Sequence, residues 1–67
     1  MMRLPDRMVL EHLAFPLNGR TRKDIMRRTG IASASTVSHS LVRLRKEGLL
    51  EGWDVTDDGR RKLGPRP

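Results

Sequence analysis

The sequence predicts a mainly α domain with one small β-hairpin, on three observations. Apolar residues recur at helical spacing in segments bounded by capping residues and glycines. Two very short segments, 49–51 and 53–56, are separated only around Gly52, the pattern of a tight hairpin. The third observation is size: 67 residues make one domain, which buries only ~60% of the surface its unfolded chain exposes. A cofactor pocket would use up most of such a core. With no Cys, disulfides, thiolate metal sites and cysteine nucleophiles are excluded.

The first helix is expected over residues 5–15. Pro5 suits a first turn because its missing N–H has no partner there, and Asp6 complements the positive end of the helix dipole. Val9, Leu10, Leu13 and the trailing Leu17 form one apolar stripe, and Pro16 pushes Phe15 out of the helical region. Met8 and Phe15 fall nearly opposite that stripe, so this helix has a second face to cover, either with the chain's own ends, such as Leu4 or Leu63, or with another subunit. The second helix, residues 22–29, follows the Asn18-Gly19 turn signal and opens on a capping sequence in which the Thr21 hydroxyl accepts an early N–H and Asp24 reaches back. It buries Ile25 and Met26, turns Lys23, Arg27 and Arg28 outward, and stops at Gly30. Ile31 then plugs the core.

The third helix, residues 33–47, carries most of the functional argument. With Val37 at zero and about 100° per residue, Leu41 and Leu44 lie within about 40° of it and face inward. Ser35, His39, Val42 and Lys46 cluster within about 40° of the opposite direction, flanked by Ser38 and Arg43. After Gly48 comes the hairpin, with Val55 pointing inward. Thr56-Asp57-Asp58 caps a fourth helix over residues 57–63, with acids in its first turn and Arg60, Arg61 and Lys62 near its end. Residues 64–67 read as a disordered tail.

Charge is segregated along this layout. The chain holds 14 Lys+Arg against 8 Asp+Glu, a net +6, with an isoelectric point near 11.4. Residues 20–46 contain eight of those cations and a single acid, Asp24, and no acid lies between Ile25 and Lys46. Solubility alone requires no such segregation, whereas a polyanion such as nucleic acid does. A helix exposing small hydroxyls, one imidazole and bases presents little to repel phosphates and little bulk to obstruct a groove.

Two helices joined by a short turn containing Gly, followed by a hairpin, make a winged helix-turn-helix: a three-helix core, a very short wing and a short C-terminal helix, over residues 4–63. The run Ser35-Thr36-Val37-Ser38-His39-Ser40-Leu41-Val42-Arg43-Leu44-Arg45-Lys46-Glu47-Gly48-Leu49-Leu50 resembles the corresponding segment of winged-helix transcriptional regulators. Trp53-Asp54-Val55-Thr56-Asp57-Asp58-Gly59-Arg60 resembles their ending. The likeness is nearest to the multiple-antibiotic-resistance-regulator-like group and to small archaeal, bacterial and viral winged-helix repressors.

The resemblance implies that helix 33–47 is the recognition helix of a sequence-specific, double-stranded DNA-binding regulator, most simply a repressor. It implies base or nearby phosphate contacts for Ser35, Thr36, Ser38, His39 and Arg43, with Val42 and Lys46 on the same outer face, and backbone contacts for Thr21 and Arg22. Arg43 is the candidate for bidentate recognition of guanine. Arg20, Lys23, Arg27 and Arg28 are candidate phosphate contacts. The wing of this family is usually longer and basic; here its nearest charges are Glu51 and Asp54, so minor-groove contact is not expected. The long terminal helices through which many such regulators dimerise have no counterpart in this sequence, and Met8 and Phe15 are the candidate contact of a homodimer.

No catalytic set is legible: no Ser has an evident base and orienter, no Gly-rich phosphate loop occurs, and Asp57-Asp58 is explained by capping. The expectation is a protein that is not an enzyme, with no metal, cofactor or small-molecule substrate, acting in the cytoplasm at the nucleoid. Its apolar runs, such as Met8-Val9-Leu10, fall far short of the ~20 residues of a membrane span. Two rival readings fit the same residues. One is a winged helix used as a protein-interaction module; the other is an architectural DNA-binding protein indifferent to sequence.

Overall fold

A computed structural model describes residues 2–64. The remainder of the tail expected at the C-terminus lies outside the described residues. The order is α1 (Leu4–Leu13), a 3-10 turn (Pro16–Asn18), α2 (Arg22–Thr29), α3 (Ala34–Lys46), β1 (Leu50–Glu51), β2 (Asp54–Val55) and α4 (Asp57–Leu63). This is the mainly helical, winged helix-turn-helix architecture read from the sequence, with boundaries shifted by one or two residues. α1 packs across α3, α2 lies against both, and α4 returns to α1.

One core holds these elements together. Val9, Leu10 and Leu13 of α1 meet Ile25 of α2, Val37, Leu41 and Leu44 of α3, and Leu49 and Leu50 at the hairpin. Met2, Met26, Ile31, Trp53, Val55 and Leu63 pack around that centre. Leu63 is thus one of the chain-end residues that helps cover the helices, whereas Leu4 is 69% exposed. Leu17 was expected on the stripe of α1 but is fully solvent-exposed. The cause is Pro16: Phe15 is extended (φ −114°, ψ 100°), and the 3-10 turn that follows breaks the phase of α1.

The α1 end is tied by side chains that periodicity does not reveal. Asn18 Nδ2 donates to the His12 carbonyl at 3.1 Å, and His12 Nε2 donates to the Gly19 carbonyl at 2.8 Å. His12 is buried, and its Nδ1 has no partner among the described residues. α2 begins as expected: the Thr21 hydroxyl accepts from Asp24 N–H (3.1 Å) and donates to the Asp24 carboxylate (2.9 Å). α3 begins where Ser33 accepts from Thr36 N–H.

The C-terminal end of α3 is a Schellman motif. Gly48, at φ +75°, donates its N–H to the Arg45 carbonyl, and Leu49 N–H reaches back to the Leu44 carbonyl at 2.9 Å. Only glycine takes that left-handed position without steric cost, which fixes the angle at which the chain leaves α3 for the wing. The wing itself pairs Leu50 with Val55 and Glu51 with Asp54, antiparallel, around Gly52-Trp53. Thr56 then fastens the wing to both neighbours. Its hydroxyl donates to the Gly48 carbonyl at 2.7 Å and accepts from Gly59 N–H at 3.0 Å, so one side chain closes α3 and caps α4. Gly59 is buried because the Leu49 carbonyl crosses directly above it, where a Cβ would collide with that oxygen and with Val55.

Candidate nucleic-acid interface

The core stripe Val37, Leu41 and Leu44 fixes the rotation of α3, and the opposite face is therefore the one the protein presents. Ser35, His39, Val42 and Lys46 are all exposed along it. Val42 is 61% exposed, although it is aliphatic. Thr36 and Ser38 are only half-exposed, at the margins of the face. Arg22, at the start of α2, donates from Nη1 to Ser38 Oγ at 3.1 Å and so lies along the crevice between the two helices. Lys23, Arg27 and Arg28 are exposed on α2. The resulting surface has short hydroxyls, an imidazole and one aliphatic side chain at its centre, with cations beside them.

Not every cation of residues 20–46 serves that surface. Arg20 pairs with Asp54 of the wing at 2.7 Å, which joins the base of α2 to the hairpin. Arg45 donates from Nε to the Gly52 carbonyl at 2.9 Å, and its guanidinium stands 5.5 Å from the Trp53 ring centroid, so it braces the wing turn. Thr21 has its hydroxyl engaged in the α2 cap.

The largest departure concerns Arg43. Expected as a base-reading side chain, it is engaged by another helix. Its Nε and Nη2 donate to Asp6 Oδ2 and Oδ1 at 2.9 and 2.7 Å, a two-pronged pair that clamps α3 to the first turn of α1. Ser40, fully buried, lies 3.4 Å from the same Nη2. The Asp6 side chain is 4% exposed and that of Arg43 35%. Burial disfavours the charged form of Asp6, but hydrogen bonds from Arg43 and Ser40 and the charges of Arg43 and Arg3 oppose it. The balance holds the Asp6 pKa below its ordinary 3.8, and the bond to Asp6 raises that of Arg43. Asp6 is therefore a structural anchor rather than only a dipole complement. Sequence reading missed the pair because its members are 37 positions apart and belong to different helices. One signal was present: Arg43 sits about 120° from the core axis of α3, on a flank, not at the centre of the outer face.

Met8 is half-buried and Phe15 is 40% exposed; both border a surface depression with Asn18, Arg28 and Thr29. Among the described residues no helix is long and apolar enough to cross a membrane, and no group of three or more His, Cys, Asp or Glu could hold a metal ion.

A three-helix core, a two-stranded wing and a recognition-type helix with cations alongside define a winged helix-like DNA-binding domain. The model of the LexA DNA binding domain family matches residues 8–59, and the chain belongs to that family. The match runs from the middle of α1 to the first turn of α4. It gives no support to the more particular likeness to the multiple-antibiotic-resistance-regulator-like group. No curated protein and no solved structure matches the chain.

Proposed function

We propose that this domain binds double-stranded DNA sequence-specifically and represses transcription by occupying an operator. In this reading α3 lies in the major groove, with Ser35, His39, Val42 and Lys46 toward base edges and Thr36 and Ser38 at the margins. Arg22, Lys23, Arg27 and Arg28 serve the phosphates. The observation that carries the reading is the single exposed face of α3, which joins hydroxyls, imidazole and amine beside the cations of α2. Arg43 acts from behind, by holding α3 on α1, and Arg20 by holding the wing. Association begins with electrostatic attraction and ends with readout by α3.

One such module buries only ~600–1,000 Å² on DNA, so operator affinity favours two copies on half-sites about one helical turn apart. Met8 and Phe15 are the proposed contact between copies. Light scattering at micromolar concentration is expected to show a dimer that Phe15→Ser dissociates; a monomer unchanged by that substitution removes the contact.

The test of DNA readout is selection from a random duplex library at two salt concentrations, with sequencing of the bound fraction. An enriched inverted repeat is expected. Salt-sensitive binding without enrichment supports an architectural role instead, and no binding at either salt supports a protein-interaction module.

A further inference from the structure

We propose that Val42 is a specificity-determining residue that reads the C5-methyl group of a thymine, and that the half-site has an obligatory thymine where Val42 meets the groove. The inference rests on the reading of α3 as the major-groove helix.

Val42 is 61% exposed at the centre of the presented face, between His39 one turn before and Lys46 one turn after. Its Cβ branch makes it stiff and no better than average as a helix former, so neither local propensity nor core packing accounts for valine there. Its polar neighbours all offer hydrogen bonds; Val42 offers only apolar surface. Among the groups that base pairs display in the major groove, the thymine methyl is the apolar one. The flanking positions leave that contact open. Arg43, the adjacent long side chain, is drawn toward Asp6, and Ser38, one turn earlier, is held by Arg22. No arginine on the centre of this face is available for the bidentate guanine contact, so discrimination at that base pair falls to the methyl.

The experiment uses the duplex enriched from the random library by the wild-type protein. It is resynthesised with deoxyuridine replacing each thymidine in turn, which deletes one methyl group and leaves pairing intact. Losing burial of one methyl corresponds to roughly a three- to fivefold weaker Kd. Wild-type protein is expected to show that loss at one thymine per half-site. Val42→Ser, a surface change that spares the core, is expected to bind thymine and uracil duplexes alike at that position, while Val42→Ile retains the discrimination.

Enrichment of a site that tolerates uracil at every position overturns the role of Val42 and leaves sequence-specific binding standing. A uracil penalty that persists undiminished in Val42→Ser assigns the methyl contact to another residue and also overturns it. Failure to enrich any site overturns the operator reading itself, and this inference with it.

Discussion

Replacing Asp6 by Asn removes the charge of the Asp6–Arg43 clamp with almost no change of shape. The native carboxylate is 4% exposed and accepts two charge-assisted bonds, at 2.9 and 2.7 Å. The amide keeps one acceptor and turns an NH₂ group toward a guanidinium that can only donate. A hydrogen bond to a charged group contributes about 1.5–3 kcal/mol, but the variant no longer desolvates a carboxylate, and the Arg43 side chain, 35% exposed, can turn to water. The net loss is therefore about 1–2 kcal/mol. In a domain of this size each kcal/mol moves Tm by ~4–8 °C, so Asp6→Asn is expected to melt roughly 4–16 °C lower at pH 7.

The same pair carries an acid signature. Because the folded-state pKa of Asp6 lies below its ordinary 3.8, its contribution is fully present above that value and is lost as pH falls through the lower, folded one. Urea unfolding from pH 7 down to pH 3 is the assay. Wild type is expected to lose stability on acidification more steeply than Asp6→Asn, so the two curves converge. Equal stability at pH 7, or parallel curves across the acid range, refutes the clamp.

Three further outcomes follow from the geometry. Gly59→Ala is expected to destabilise by about 1–3 kcal/mol in urea unfolding, although Ala is the better helix former by about 1 kcal/mol, because its Cβ meets the Leu49 carbonyl and Val55. Thr56→Val is expected to lose about 1–2 kcal/mol, since one hydroxyl serves both the Gly48 carbonyl and the Gly59 N–H. Lys23→Ala is expected to weaken cognate and random duplexes alike and to reduce the salt slope of binding by about 1; a loss confined to the cognate site contradicts a phosphate role.

The elements of this fold were legible in the sequence because their signals are local. Thr21 caps α2, Thr56 caps α4, and the stripe Val37, Leu41 and Leu44 orients α3. The exposed face Ser35, His39, Val42 and Lys46 follows from that stripe by arithmetic. What periodicity could not supply were contacts between distant positions that compete for the same side chains. Arg43 with Asp6, Arg20 with Asp54 and Arg45 with the Gly52 carbonyl take three of the eight cations in residues 20–46 into the scaffold. A charge count records their sign but not their partners. Leu17 leaves the stripe for a different reason: helical phase does not carry past Pro16, where the backbone changes course.

The division of labour among those cations also explains how a short acidic wing coexists with a basic domain. Asp54 is held by Arg20 and the turn by Arg45, so the hairpin is braced against the helices while the presented cations remain on α2 and at Lys46.

The most direct test of the account is amide chemical-shift mapping by NMR during titration with the duplex selected from the random library. Shifts are expected to concentrate at residues 35–46 and at the start of α2, around Arg22 and Lys23, with α4 largely unmoved. Shifts centred on α4 or on the Met8 and Phe15 surface, with the face of α3 unaffected, contradict it.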